Sequence, residues 1–417
     1  MTSNGPGFST GSDGQPTHRP SKAVKSTPKD EAVTTATEEE TVDQMNLPKI
    51  SVPKPSGESD MVNDKSGLTT AFKWAFIGCG QAGSRLVDSF HQLGFNRVCC
   101  INTTDQDMDG LKMPKDNQYV MNLGVRGAGK NPDLGKSAIK EHYEDVYDLM
   151  KRSWKSGWER VLVCAGLGGG TGTGTIETVL AIANEIAESY KAQKHGEPPV
   201  VGALVTLPSD SESQKVHANA HAALKQLVSM TTGGKRLISP LIIIDNQRMY
   251  ELYSSQASTG YLGVTNQSVT QLFLTFNVLA TGSSDIWTFD EADFKTVLES
   301  GIVTFGMCNI PKYEDPTSIS FSVRDNIRNT MLVKTDIGNA TTAALVFIGS
   351  NGVLSKIPQK NFEHAFDMIK RMISRNNTVH RGVYRNADNE LTCFAMLGGL
   401  DVSGDRLAEL ARLAGTK

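Results

Sequence analysis

Two glycine-rich runs carry the residue types that can grip a phosphate. Gly168-Gly169-Gly170-Thr171-Gly172-Thr173-Gly174 follows an apolar stretch at residues 160–165 and precedes the helical spacing of Ile176, Val179, Leu180, Ala183 and Ile186. Its glycines expose consecutive backbone N–H groups, and Thr171 and Thr173 add hydroxyls, so the run can wrap a polyphosphate. Pinned between a strand and a helix, it is too short for a flexible linker. Gly78-Cys79-Gly80-Gln81-Ala82-Gly83 has the same setting after residues 74–77. Taken alone, this second run also fits a dinucleotide fold, because Asp105 lies about 20 residues beyond its last glycine, where an acidic side chain could hold a ribose. In both places a helix N-terminus would offer free N–H groups and the positive end of its dipole.

Carboxylates spaced three apart form a third candidate, in Thr288-Phe289-Asp290-Glu291-Ala292-Asp293. Such a pair can orient or deprotonate a water, and the same spacing also suits a solvated acidic turn. Gly135-Lys136-Ser137 imitates the end of a Walker motif, but Lys130 stands where the upstream glycine is required, so a P-loop is excluded. The six cysteines (Cys79, Cys99, Cys100, Cys164, Cys308, Cys393) contain no CxxC pair and read as reduced core residues of a cytoplasmic protein.

The elements that must position these residues follow from periodicity. Residues 1–70 are rich in Ser, Thr, Pro, Gly, Lys and Glu, with Phe8 as their lone aromatic, and cannot bury enough apolar area to offset ordering entropy. They are expected to be a disordered tail, either tethering a partner or merely solvated. From residue 71 to about 257, short apolar runs at 74–77, 97–101, 160–165, 200–206 and 241–245 alternate with helical patterns such as Leu86, Val87, Phe90 and Leu93. That alternation predicts an α/β domain with a parallel, Rossmann-like sheet. A long central helix is expected within 258–283, over about residues 263–281. Residues 284–417 read as a smaller α+β domain, with strands near 302–307, 343–348, 382–384 and 391–397 and helices over 323–332, 361–373 and 406–413.

The heptapeptide at 168–174 resembles the glycine box of tubulins and FtsZ, and other segments then fall into that family's order. Gly78 to Gly83 looks like the first nucleotide loop, with Gln81 nearer the tubulin form, and Asn102-Thr103-Thr104-Asp105 looks like the second. Gly127-Ala128-Gly129-Lys130-Asn131-Pro132 is similar to the γ-phosphate-sensing third loop, with Lys130 replacing a glycine; that lysine either meets phosphate or points to solvent. The resemblance implies phosphate contacts from Gly78, Cys79, Gly80, Gln81, Ala82, Ala128, Gly129, Lys130, Asn131, Gly168, Gly169, Gly170, Thr171, Gly172 and Thr173. It implies ribose and base contacts from Asn102, Glu212, Asn246 and Asn266, with Tyr261 beside Leu262 at the position of a stacking aromatic. Val216 stands where FtsZ carries an arginine after the ribose-binding glutamate. Asp290 and Asp293 match the two hydrolytic aspartates, and Thr288 replaces an asparagine that precedes them.

The resemblance therefore implies GTP and GDP as ligands, Mg²⁺ accompanying the phosphates, and a cytoplasmic GTPase that polymerises head-to-tail with itself, its hydrolysis completed by the aspartates of the neighbouring subunit. It also implies an adaptor role, if any, for the N-terminal tail, since no long C-terminal linker is present. Two alternatives stand beside it: a dinucleotide-dependent oxidoreductase, and a family member that binds nucleotide and polymerises or caps without hydrolysis. Composition narrows the remaining classes. A net charge of −3 gives no electrostatic case for nucleic-acid binding. Apolar runs such as 241–244 fall far short of the roughly 20 residues of a membrane span, and no signal-peptide pattern opens the chain.

Overall fold

The computed structural model describes residues 68–124, 127–155, 157–194, 199–232, 237–253, 261–315, 317–386, 390–402 and 406–415. The expected tail falls almost wholly on residues 1–67, outside that set. The chain runs β1 (Trp74–Cys79), α1 (Gly80–Gln92), β2 (Val98–Asn102), β3 (Gln118–Val120), α2 (Pro132–Glu141), α3 (Tyr143–Trp154), β4 (Arg160–Gly166) and α4 (Thr171–Lys194). It continues through β5 (Val200–Leu207), α5 (Gln214–Thr231), β6 (Leu241–Asp245), α6 (Asn246–Tyr253), α7 (Tyr261–Leu279) and α8 (Glu291–Leu298). The remainder is β7 (Ile302–Ile310), α9 (Ser318–Thr330), β8 (Thr342–Ser350), α10 (Asn351–Leu354), α11 (Gln359–Met372), β9 (Thr378–Asn386), β10 (Leu391–Gly398) and α12 (Arg406–Leu413).

All ten strands among the described residues lie in one sheet, in the order β3-β2-β1-β4-β5-β6-β7-β10-β8-β9. Every neighbouring pair is parallel except the two that β10 makes with β7 and β8. The first six positions have the doubly wound order whose direction of winding reverses between β1 and β4, the place where such sheets hold ligands. Burial on both faces explains the near-continuous apolar strands. Along β1, Ala75 and Ile77 face a core shared with α3 and α4, while Trp74 and Phe76 face the opposite core with α1 and α7. In that second core Phe76 stacks on Phe90 at 4.3 Å, and Phe273 of α7 meets Trp74 edge-on at 4.8 Å.

The central helix spans 19 residues, Tyr261–Leu279, or about 28 Å. It ends near the amino end of the sheet, where Asn277 accepts from Trp74 Nε1 at 2.6 Å and from the Ala71 amide at 3.0 Å. Its end lies two residues before the position expected from sequence, because Thr281 and Gly282 already turn back on Val278 and Leu279. β9 is longer than the three residues expected: it is an edge strand, and polar residues such as His380, Arg381 and Arg385 hide its pattern. β3, another edge strand of three residues, has no apolar run to announce it. Among the described residues no helix is long and apolar enough to cross a membrane.

Candidate functional site

The glycine runs meet because β1 and β4 are hydrogen-bonded neighbours, so their exits are adjacent. Contact there is backbone on backbone. A Cβ on Gly80, whose φ is +70°, would lie 2.8 Å from Gly172 N, and one on Gly172 would lie 2.6 Å from Gly166 O. The third loop closes on the same floor: the Gly170 amide donates to Gly129 O at 2.8 Å, and a Cβ on Gly170 would fall 2.4 Å from that oxygen. Gly129 and Gly169, by contrast, have nothing within 4 Å of an added Cβ, so one side of the floor is open. Three helix N-termini border it, those of α1, α2 and α4, and neither α1 nor α4 has an acidic residue in its first turn to neutralise the dipole. Such a floor suits an anion with several negative oxygens. Gly135, Lys136 and Ser137 lie inside α2, which removes the Walker decoy.

Side chains brace this floor more than they line it. Thr103 is the junction: its amide donates to Asn102 Oδ1 at 2.8 Å, its hydroxyl accepts from the Ala128 amide at 3.0 Å, and it pairs with the Thr171 hydroxyl at 2.7 Å. Asn102 is fully buried, so it shapes the loop from beneath. Thr173 Oγ1 accepts from the Gly168 amide at 2.8 Å, which closes the glycine box on itself. Cys79 is buried, and burial pushes its thiol up to about 12, so its polar contribution is its backbone. Gln81 and Ala82 are exposed at the start of α1. Asn131 caps α2 by accepting from the Asp133 amide at 3.1 Å.

Across the mouth, Lys130 Nζ meets Glu212 Oε2 at 3.3 Å, both side chains about half exposed. That ion pair joins the third loop to the segment expected to hold the ribose. Val216 is buried and packs on Gly168, so this position serves packing here. Asn219 of α5 reaches both loops, its Nδ2 donating to Gly168 O at 3.0 Å and Lys130 O at 3.3 Å. Sequence reasoning missed Asn219 and the role of Thr103. The available signal for Asn219 was an amide between Ala218 and Ala220 in a helix whose packing needs none. Asn246 opens α6 and Asn266 sits in the second turn of α7, both partly exposed. The side chains of Tyr261 and Leu262, and with them the stacking expectation, lie outside the described residues. Asp105 caps a short 3₁₀ turn by accepting from the Gln106 amide at 2.9 Å.

The two aspartates stand elsewhere. Asp290 is the N-cap of α8, its Oδ1 accepting from the Asp293 amide at 2.9 Å, while Asp293 Oδ2 accepts from the Asp290 amide at 3.4 Å. This reciprocal capping box fixes both carboxylates. Asp293 Oδ1 also meets His380 Nδ1 of β9 at 2.6 Å, a contact with no sequence signal beyond a lone histidine in a polar strand. Tyr384 clamps the preceding turn, its hydroxyl donating to Phe289 O at 2.9 Å and accepting from the Phe289 amide at 2.8 Å. Thr288 Oγ1 accepts from the Ser284 amide at 3.1 Å and so closes the turn before it.

α8 belongs to the amino end of the parallel strands. Phe294 stacks on Phe72, just before β1, and Glu299, just past α8, pairs with Arg160, the first residue of β4, at 2.5 Å. The glycine loops lie at the carboxyl end. A strand of β1's six residues, roughly 20 Å, separates the two groups, so one copy does not bring its own aspartates to its own glycine floor.

Residues 73–254 match the family described as Tubulin/FtsZ family, GTPase domain. The chain is 26% identical over 298 residues to the cell division protein FtsZ of Haloferax mediterranei, covering 70% of this chain and 71% of that protein. Its fold is similar to that of the Bacillus thuringiensis serovar israelensis TubZ protofilament in its GTPγS form, with a TM-score of 0.70, 19% identity, and 83% of this chain and 92% of that one covered. It is also similar to the GTPγS-bound protofilament of CetZ2 from Haloferax volcanii, with a TM-score of 0.65, 21% identity, and coverage of 82% and 98%. Over residues 73–254 the chain thus resembles the GTPase domain of the tubulin/FtsZ family.

Proposed function

We propose that the chain binds GTP on its glycine floor, assembles head-to-tail with itself in the cytoplasm, and hydrolyses the nucleotide with Asp290 and Asp293 of the next copy. The observation that carries this reading is the placement of the glycine loops and the aspartates at opposite ends of one sheet. Stacking copies end to end would bring one copy's α8 to another's open floor, a heterologous contact that propagates as a filament. Residues 284–417 would then act as the domain that presents the aspartates. The six cysteines, all buried and unpaired, suit a reducing compartment.

Within such a junction, the backbone amides of the glycine box and of the first and third loops would hold the phosphates. Glu212 would meet the ribose, and Asn246 and Asn266 the base, through amide groups that complement guanine's N1–H, N2 and O6. A carboxylate fixed by the capping box would orient the attacking water in line with the γ-phosphate, so catalysis is mostly positioning and electrostatics. Among the described residues no group of three or more His, Cys, Asp or Glu could hold a metal. Mg²⁺ would accompany the substrate's phosphates and offset their charge.

One observation favours a second reading, a filament protein that keeps its nucleotide: both Asp293 oxygens already have partners within their own chain. Phosphate release from GTP and from ATP, measured against protein concentration with pelleting in parallel, separates the two. GTP-specific release that rises more steeply than linearly supports hydrolysis between copies. Pelleting without release supports the second reading, and release strictly proportional to concentration contradicts the first.

A further inference from the structure

Arg406, the first residue of α12, is 1% exposed, and its guanidinium spans three chain segments. Nη2 donates to Pro208 O at 2.9 Å and to Asp245 Oδ1 at 3.0 Å, Nε lies 2.9 Å from Asp245 Oδ2, and Nη1 meets Asp210 Oδ1 at 3.2 Å and Glu409 Oε2 at 2.8 Å. Gln247 completes the ring: its amide donates to Asp245 Oδ1 at 3.1 Å, and its Oε1 accepts from the Asp210 amide at 3.1 Å. Gln214 Nε2 further ties α5 to Ala414 O at 2.9 Å.

We infer that Arg406 is a positioning residue for the nucleotide site, locking the 208–212 loop onto the end of β6 so that Glu212 and Asn246 stand where the sugar and base are read. The inference rests on the proposed guanine-nucleotide site. Residues 210–215 are exposed, so apart from buried Pro208 the loop has little apolar anchorage of its own. Its placement therefore depends on polar ties, and a planar fork that takes both Asp245 oxygens together with a backbone carbonyl is more directional than an ammonium. Asp210 lies two residues before Glu212, and Asp245 directly precedes Asn246, so a tie between the first members of these pairs sets the separation of the second. The arrangement makes the last helix of the chain part of the mouth of the nucleotide pocket.

The test uses the full chain, with amide hydrogen exchange over 208–213 without nucleotide and GTP affinity by calorimetry below the assembly concentration. Arg406→Gln is expected to speed exchange over 208–213 and to weaken GTP binding by at least about tenfold each, the cost of a lost charge-assisted tie. Exchange in β1 and β4 should stay unchanged, KM should rise, and kcat should hold. Arg406→Lys, which keeps the charge and loses the fork, should fall between. A folded Arg406→Gln with wild-type exchange over 208–213 overturns the inference. Should the wild type bind no GTP, the functional reading fails while exchange still decides the loop-locking. Should Arg406→Gln not fold, Gln247→Ala frees the Asp210 amide without stranding a buried charge. A roughly threefold rise in loop exchange and in GTP Kd is expected there, and unchanged values overturn the inference.

Discussion

Thr103 joins three backbone turns through one hydroxyl and one amide, and replacing it by valine keeps the shape while removing the hydroxyl. The Ala128 amide and the Thr171 hydroxyl would then be buried without partners, at about 1–3 kcal/mol. Thr103→Val is therefore expected to lower stability in urea by that amount and to weaken GTP binding, and a variant with wild-type stability would show that the junction is not needed. Gly170→Ala tests the floor itself. Its Cβ would press on Gly129 O at 2.4 Å and Ala128 O at 2.8 Å, both backbone atoms with little room to yield. GTP affinity should fall by more than about tenfold, while the far-ultraviolet circular dichroism remains that of the wild type. The glycines were readable from sequence because their requirement is local, a backbone free to approach another. The Thr171 hydroxyl's partner was not, since it comes through tertiary approach of Thr103, and Val216 could be recognised as a packing residue only once Gly168 lay beside it.

At the scale of elements, the capping box changes how the aspartates should be probed. Alanine at Asp290 would uncap α8 at about 1 kcal/mol as well as remove a carboxylate, whereas asparagine caps nearly as well. Asp290→Asn is expected to stay within about 0.5 kcal/mol of wild-type stability while phosphate release falls at least about tenfold; normal release in that variant would remove Asp290 from the mechanism. The end of β6 offers a pH prediction. Burial pushes the Asp245 carboxyl up to about 6 from 3.8, against the pull of Arg406, with Asp210 and Glu409 adding to the rise. The folded chain thus keeps a proton there that the unfolded chain releases, so this stabilisation is complete below pH 3.8 and is lost as pH rises to about 6. The associated loss of stability, of order 3 kcal/mol at most across that interval, should vanish in Asp245→Asn, as urea midpoints between pH 4.5 and 6.5 would reveal. Buried strands such as β4, β5 and β6 and the terminal helix α12 were legible from apolar runs and spacing. Edge strand β3 was not, and β9 was legible only over 382–384, because an element half in water needs no apolar run.

The sheet gives the whole molecule its logic. Alternating strands and helices announced a parallel α/β fold, and the order of glycine loops along the chain pointed to the superfamily. Strand order was not readable, because crossovers decide it, and neither was the continuity of the sheet from β6 through β7 into the last three strands. The separation of the glycine floor from Asp290 and Asp293, which the family resemblance implied, takes physical form in that topology, and it supports the proposed site shared by two copies. The most direct measurement mixes two variants: Gly170→Ala, with a damaged floor and intact aspartates, and Asp290→Asn, with an intact floor and a damaged catalytic end. Each alone should release little phosphate. Mixed in equal amounts, about one junction in four would pair the two intact halves, so GTP-dependent release should recover toward a quarter of the wild-type rate. Two folded variants that never complement each other at any ratio, or an Asp290→Asn protein fully active by itself, would contradict a site completed by the neighbouring copy.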